Sequence, residues 1–239
     1  MLNGLYSAAA GLIAQQTRMD ALANDISNVN TTGYKQLRLG FRDLIYNVES
    51  GMRVGAGAAL VDGGREFQPG AFQQSDNPLS VAIAGSGFFQ VRMADGRTAL
   101  TRSGDFRVDA SGSIVTGTGE RLVPPITVPA NTPSDAVSIA SDGTVKANGE
   151  TLGRIHLVTV ASPDRLQPVG SSLFVPTAQS GAPHAAAGAT MQQGFLEASN
   201  VDLASAMVNV IDAQRSFQFD SRVIQTQDQL MQIANEIRR

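Results

Sequence analysis

The sequence predicts an α+β protein in which two terminal helices flank a central, mostly antiparallel β-domain. Apolar residues recur at helical spacing from about Leu2 to Val29 and again from about Val201 to Ile237. The stretch between them is punctuated by glycine, proline and Asp-Gly pairs at the intervals typical of short strands. No proline or glycine occurs from Val201 to Arg239, so a single long helix is allowed at that end.

The first apolar stripe predicts a helix with one narrow seam. Apolar residues return every seven positions, which is the spacing of a helix that packs along a partner helix. The residues from Asn28 to Gly33 favour turns or compete with the backbone for hydrogen bonds, so the helix should end near Ser27 to Val29. The predicted seam of this helix consists of Leu5, Leu12, Met19, Leu22, Ile26 and Val29.

The second stripe predicts a helix of about 35 residues, on the order of 50 Å long. Ser199 and Asn200 are candidate N-caps, and Asp202 suits the positive end of the helix dipole. Apolar residues fall on two separate seams. The first seam consists of Leu203, Met207, Val210, Phe217, Ile224 and Met231, and the second of Phe219, Val223, Leu230, Ile233 and Ile237.

Two seams on one helix indicate more than one neighbour. Most helical stability in proteins comes from packing an amphipathic face, and a single pair of helices would leave the second seam in water. Self-association would cover it. By pattern alone, two interpretations remain open: an antiparallel pair or dimeric stalk, and a larger assembly.

The central region predicts short antiparallel strands joined by tight turns. Asp95-Gly96 and Asp142-Gly143 are typical hairpin turns. Such a series fits a small barrel or sandwich better than an α/β fold. The predicted strands are Phe88–Met93, Thr98–Arg102, Phe106–Val108, Ser113–Thr116, Val137–Ala140, Thr144–Ala147, Ile155–Val160, Leu173–Val175 and Phe195–Leu196.

These patterns divide the chain into three parts. Residues 1–35 and 198–239 together form a terminal helical domain for assembly. Residues 36–75 form an extended connecting segment, and residues 76–197 form the central β-rich domain.

Composition excludes several function classes. A formal charge of −3 and 18 scattered Lys and Arg residues argue against a nucleic-acid partner, since phosphate binding needs clustered cations. The absence of cysteine excludes disulfides and thiolate metal sites. The longest weakly polar stretch, Pro78–Val91, is too short to span a bilayer. The N-terminus has no basic segment typical of a secretory signal, so any export should use another route.

The sequence offers no convincing catalytic, cofactor-binding or metal-binding site, and we assign none. His156 lies in a predicted strand, where a single histidine is usually structural. Asp105 and Asp109 could be the paired carboxylates of a cell-wall glycan hydrolase carried on a helical stalk, but such residues more often begin turns. Convergence of two acids in a cleft, about 5 to 9.5 Å apart, would favour the hydrolase, and turn capping would not.

Four segments distributed over nearly the whole chain form a recognisable set: Ala23–Lys35, Val81–Val91, Thr101–Phe106 and Gly194–Val201. The motif residues that we single out in them are Asn28, Thr31, Gly33, Tyr34, Gly85, Gly87, Phe88 and Phe89. In these segments the chain resembles the bacterial flagellar basal-body rod and hook protein family.

The resemblance implies a structural, non-enzymatic subunit of the flagellar rod, a helical tube that transmits torque and polymerises through its terminal helices. The implied partners are copies of itself, other rod and hook proteins, the flagellar type III export apparatus and bushing-ring proteins. The implied location is the basal body outside the cytoplasmic membrane, periplasmic where an outer membrane exists. A phage-tail-like tubular protein would share the helical physics.

The position along the rod stays open. Gly85–Val91 and Ser180–Pro183 most resemble distal rod members. Only Asn47–Arg53 separate Tyr46 from the Val54–Gly57 segment, where distal members usually carry a longer insertion. A proximal rod protein or a hook-type paralogue is the alternative.

Overall fold

The computed structural model describes residues 2–47, 53–130 and 132–237. It contains two long helices and a series of short strands, as the predicted α+β class requires. Most of Asn47–Arg53, the short connection on which the comparison with distal rod members depends, lies outside the described residues.

The described residues form two compact units. The helical unit comprises those of Met1–Ser27, Leu37–Gly63 and Asp202–Arg239. The β body comprises those of Asn28–Gln36 and Gly64–Val201. The chain thus enters and leaves the β body twice.

The helical unit holds the two helices that the sequence predicted. Helix α1 runs over Leu2–Ser27 and helix α2 over Leu203–Ile237. The carboxylate of Asp202 accepts a hydrogen bond from the backbone N–H of Ala204 at 3.2 Å, so this residue caps α2. Asn28 lies in a turn directly after α1, as expected from the Asn-rich and Thr-rich sequence there.

The connecting segment 36–75 contains strands that sequence reasoning did not predict. Strand β1 (Leu37–Asn47) and strand β2 (Arg53–Arg65) pair as a two-stranded sheet, and β3 (Phe72–Gln74) pairs with a strand near residue 196. Strand β2 is rich in glycine and alanine. Because these residues are poor strand formers, the local pattern gave no strand signal.

The β body is built from short strands. All the pairings described within it are antiparallel. After β3, its strands are β4 (Val81–Ala84), β5 (Phe88–Arg92), β6 (Thr98–Thr101), β7 (Phe106–Val108), β8 (Ile114–Thr116), β9 (Arg121–Leu122), β10 (Val137–Ile139), β11 (Thr144–Ala147), β12 (Glu150–Arg154), β13 (Leu157–Thr159), β14 (Gln167–Gly170), β15 (Leu173–Val175), β16 (His184–Ala185), β17 (Thr190–Gln193) and β18 (Phe195–Glu197).

Within the described residues, the largest sheet has nine strands. Its path runs β14-β15-β6-β5-β9-β8-β7, and β13 pairs with both β5 and β16. Strands β10, β11 and β12 form a separate sheet, while β17 pairs with β4 and β18 with β3. The predicted single strand over Ile155–Val160 is wrong in detail: β12 ends at Arg154, Ile155 is buried in the core, and β13 begins at Leu157.

Two apolar clusters fill the β body. The larger lies around Phe89 and Phe106, whose rings meet edge to face with centroids 5.0 Å apart. The smaller contains Phe88 and Phe174, with Phe67 packed edge-on against both rings. Strand β5 supplies adjacent phenylalanines to the two clusters because successive side chains point to opposite faces.

Candidate functional site

Helices α1 and α2 pack against each other in antiparallel directions. The guanidinium of Arg18 donates to the side-chain oxygen of Asn209 at 3.3 Å. Seven residues earlier in α1, Gly11 lies against Asp220, eleven residues later in α2. A Cβ atom at Gly11 would stand only 2.8 Å from the Asp220 carboxylate. The absence of a side chain at Gly11 therefore makes room for Asp220 between the helices.

One face of α2 packs inside the helical unit, and we name it the inner seam. Ala206 and Ala213 are almost fully buried. Four residues predicted for the first seam lie half-buried on the same face. The inner seam consists of Ala206, Val210, Ala213, Phe217, Ile224 and Met231.

The predicted seam of α1 is only partly buried. Leu22 is buried, while Leu5, Leu12, Met19 and Ile26 are half-buried. Val29 lies beyond the end of α1, within the residues assigned to the β body. Two alanines of α1 are more buried than most of the larger seam residues: Ala8 at 8% exposed and Ala14 at 3%.

A second apolar face of α2 is exposed, and we name it the outer stripe. Its side chains are 46–81% exposed. All five residues predicted for the second seam belong to it, and Leu203 and Met207 of the predicted first seam are also exposed. Exposed apolar residues in a continuous row are typical of interaction sites. The outer stripe consists of Val208, Ile211, Phe219, Val223, Leu230, Ile233 and Ile237.

An apolar groove of about 540 Å³ lies between α1 and the β1–β2 pair. Small α1 side chains form one wall, and apolar residues of β1 and β2 form the other. Asp62 is the charged residue among those that line it. The lining, which we name the alanine groove, consists of Ala10, Ile13, Ala14, Thr17, Ala21, Leu37, Leu39, Leu44, Ala58, Ala59, Leu60 and Asp62.

In the β body, a buried ion cluster is centred on Glu197. Its carboxylate oxygen Oε1 accepts from Nζ of Lys35 at 2.6 Å and from the backbone N–H of Gly70 at 3.0 Å. The Lys35 ammonium also donates to the carbonyl of Gln68 at 2.7 Å. Burial lowers the pKa of Lys35 from its ordinary value, and the Glu197 charge opposes that shift.

Arg102 supplies a second cation to this cluster. One of its terminal nitrogens lies 3.4 Å from the other carboxylate oxygen of Glu197. Another donates to the carbonyl of Gly85 at 2.9 Å, and the guanidinium lies over the ring of Phe88 at 5.6 Å. Burial lowers the pKa of Arg102, again opposed by Glu197.

The ion cluster brings together the four segments that resemble the rod and hook family. Lys35 belongs to the first segment, Gly85 and Phe88 to the second, Arg102 to the third and Glu197 to the fourth. All four segments are recognisable in the sequence, but nothing there gives a role to the three charges. Each charge stands in a different segment, so only the tertiary structure shows that they meet.

Beside the ion cluster, Gly33 lies against the backbone of another motif segment. Its backbone has φ +67°, and its N–H donates to the carbonyl of Glu197 at 2.8 Å. A Cβ atom there would lie 2.6 Å from the backbone nitrogen of Ser103. Next to it, the hydroxyl of Tyr34 accepts from Arg65 at 2.9 Å. The first motif segment is therefore held at this position by backbone contacts as well as by charge.

The remaining motif residues lie in the turn after α1, in the segment around Gly85 and in the two apolar cores. The hydroxyl of Thr31 donates to the side-chain oxygen of Asn28 at 3.1 Å in the turn after α1. Gly85 has φ +109°, and Gly87 is buried against Ala186. Phe88 and Phe89 belong to the two cores described above.

The residues considered for a hydrolase are occupied in other ways. The carboxylate of Asp109 accepts from the backbone N–H groups of Ser111 and Ser113, both at 2.8 Å, and therefore caps a turn. These bonds, with that from the Ser111 hydroxyl as the largest cause, lower the pKa of Asp109. Asp105 lies 3.4 Å from both Arg107 and Asn77. Asp109 thus caps a turn and Asp105 contacts two neighbouring polar side chains, which gives the hydrolase interpretation no support.

Within the described residues, neither helix is both long enough and apolar enough to cross a membrane. His156 follows β12 and is exposed, and His184 begins β16, the strand that pairs with β13.

Comparison with known proteins identifies the family. Three family models match: the flagella basal body rod protein model over residues 5–35, the flagellar hook protein FlgE/F/G D1 domain over residues 82–147, and the flagellar basal body rod FlgEFG protein C-terminal model over residues 192–237. The flagellar basal-body rod protein FlgG of Borreliella burgdorferi is 36% identical, with 100% of both chains covered. This chain belongs to the flagellar basal-body rod protein family.

Further relatives agree with this assignment. The flagellar basal-body rod protein FlgG of Bacillus subtilis is 37% identical, with 97% of each chain covered. The flagellar hook-basal body complex protein FlhP of the same organism is 29% identical over the full length of both chains. The matched regions include α1, much of the β body and α2, so the rod-family resemblance drawn from the four segments is confirmed.

Proposed function

We propose that this rod-family protein is a structural subunit of the flagellar basal-body rod and that it polymerises through its two terminal helices. The observation that carries this proposal is the outer stripe of α2. Its apolar side chains stay exposed after α1 has packed against the inner seam. A helix with a second apolar face needs a second neighbour. A rod made of repeated copies supplies one.

The inner seam and the outer stripe have separate roles in this proposal. The inner seam holds α1 and α2 together within one chain. The outer stripe packs against the next copy. Such a contact joins two different surfaces, and repetition of a contact of this kind builds an open helical assembly when the rotation does not close into a ring.

The ion cluster of the β body anchors the segments that continue into the helical unit. Lys35 lies two residues before Leu37, and Gln68 and Gly70 follow Gly63 closely. Glu197 lies shortly before Val201. All of these segments contact one buried carboxylate or its ammonium partner. A load carried by the helices therefore reaches the β body at a charged, hydrogen-bonded centre.

We infer the following partners and place. The subunit contacts copies of itself and other axial proteins of the rod and hook, and reaches them through the flagellar export apparatus. Bushing-ring proteins are further proposed partners. The site of action is the basal body, and the FlgG-named relatives support a distal rod member over a proximal rod or hook-type one. The protein acts as a shaft component and not as an enzyme.

Electron microscopy of the purified full-length chain tests the proposal. Concentration should convert monomers into tubes or short rods, and cells that lack the protein should have a basal body whose shaft stops early. The proposal would be contradicted if the purified chain remained a monomer or a closed dimer at all concentrations and cells that lack the protein still had an intact rod. The dimer would instead support the helical-stalk interpretation.

A further inference from the structure

We propose that the outer stripe of α2 in one copy binds in the alanine groove of the next copy. This inference rests on the proposed function and deepens it, because it names the two surfaces that meet. Both surfaces belong to the helical unit. They lie on different elements, α2 for the stripe and α1 with the β1–β2 pair for the groove.

The chemistry of the groove suits an apolar helix. Three alanines of α1, at positions 10, 14 and 21, form one wall of the groove with Ile13, which is 69% exposed. Small side chains allow another helix to approach closely, and Ile13 and Leu60 provide apolar area to bury. A second copy of the chain carries the matching surface in the outer stripe.

The length of the groove indicates which part of the outer stripe binds there. The groove wall on α1 extends from Ala10 to Ala21, about 16 Å along the helix axis. The part of α2 from Ile211 to Val223 is about 18 Å long and presents Ile211, Phe219 and Val223 on the outer stripe. This part therefore fills the groove without a large overhang.

Charge selects the same part. Arg215 and Arg222 are exposed and stand among the outer-stripe residues, because Arg215 follows Ile211 by four positions and Arg222 follows Phe219 by three. Asp62 is the charged residue of the groove lining. Asp212 is also exposed and stands three residues before Arg215, whereas no acidic residue of α2 stands three or four positions from Arg222. An arginine of one copy beside Asp62 of the next gives the contact its register.

The contact joins two different surfaces, and each of these surfaces makes one contact per chain. Each chain offers its outer stripe to one neighbour and its groove to another. A contact of this type propagates and does not end at a dimer.

Disulfide cross-linking tests the contact directly, because the natural sequence contains no cysteine. One chain carries Ala59→Cys in the groove, and a second carries Val223→Cys on the stripe. The two chains are mixed, polymerised and oxidised mildly. Gln225→Cys, exposed on the same helix away from the outer stripe, replaces Val223→Cys in the control. The inference expects a mixed dimer with Val223→Cys and loss of that product with Gln225→Cys, since a disulfide requires Cα atoms within about 7 Å.

The outcomes separate this inference from the proposed function. Normal polymers without the mixed dimer, or with Val223→Cys linked to itself, would overturn the groove contact and leave the rod function intact. Failure of the unsubstituted chain to polymerise would overturn both.

A charge exchange provides a second readout. Asp62→Arg alone and Arg222→Asp alone should each raise the concentration needed for polymerisation, by about tenfold. A chain that carries both substitutions should recover. Equal impairment of the single and double variants would overturn the proposed register.

Discussion

The ammonium nitrogen of Lys35 lies 2.6 Å from a carboxylate oxygen of Glu197, and both side chains are fully buried. Arg102 stands 3.4 Å from the other oxygen, so two cations share one anion in the interior. Buried charges are costly unless they are paired and hydrogen-bonded. The carboxylate of Glu197 is therefore the member whose loss leaves the most uncompensated charge.

Glu197→Gln should destabilise the β body by roughly 3–5 kcal/mol, because Lys35 and Arg102 would stay buried without a counter-ion. Urea unfolding followed by the signal of the β-sheet measures this. The matched control is the double variant Lys35→Met with Glu197→Gln, which removes one cation along with the anion. Its loss should be smaller than the sum of the two single losses. Additive losses would show that the two groups do not interact.

Gly33→Ala should destabilise the same junction for a steric reason. Alanine at φ +67° costs about 1–2 kcal/mol, and its Cβ would also press on the backbone of Ser103. Gly96→Ala is the control, since Gly96 has φ +84° and open space where the added methyl group would lie. Thermal unfolding of both variants separates backbone strain from the clash. Equal shifts in the two midpoints would remove the close contact from the explanation.

The sequence predicts a structural feature well when the residues that determine it lie close together in the chain. The helices were predictable because their apolar residues repeat every seven positions within one continuous segment, as Val210, Phe217 and Ile224 show. Strand β2 was not, because Gly55, Gly57 and neighbouring alanines carry no strand preference.

The ion cluster could not be predicted from the sequence, for a different reason. Lys35 and Glu197 are 162 residues apart, and nothing near either one signals a partner. Resemblance marked the right segments without showing why they matter. For the outer stripe, periodicity found five of its seven residues, but only the structure shows that Phe219 and Ile237 remain exposed after α1 has packed.

Phe219→Ser should block assembly and leave the monomer unchanged. The side chain is 64% exposed, so its loss removes little packing within one chain. Sedimentation measures polymer, and circular dichroism measures the fold of the monomer. Gln225→Ser changes another exposed residue of the same helix, outside the outer stripe, and should polymerise normally. A Phe219→Ser chain that forms normal rods would show that the stripe is not an interface.

Asp202 should make the start of α2 sensitive to acid. The Ser205 hydroxyl and the Ala204 N–H donate to its carboxylate and lower its pKa. A carboxyl with a lowered folded pKa contributes stability above its unfolded pKa, near 3.9, and loses that contribution as the pH falls through the folded value.

Three chains measure this effect. At neutral pH the unfolding midpoint of wild type should exceed that of Asp202→Ala, and the gap should shrink as the solution is acidified through that range. Asp202→Asn keeps an N-cap without a titrating group, so its advantage over Asp202→Ala should not depend on pH in this way. A wild-type gap that stays constant down to the lowest pH would show that the ionised cap contributes nothing.

Ile224→Asp should affect both the monomer and the polymer, unlike Phe219→Ser. Ile224 is half-buried on the inner seam, so a carboxylate there would lose hydration against α1. Leu12→Asp, half-buried on α1, should act in the same way.

Amide exchange should become faster along both helices while the β body keeps its protection, because the two units have separate cores. Gln225→Asp adds the same charge one residue away on an exposed position and should leave exchange unchanged. Faster exchange throughout the β body of Ile224→Asp would show that the inner seam also supports the sheet, and normal rods from both seam variants would mean that assembly does not need the α1–α2 pair.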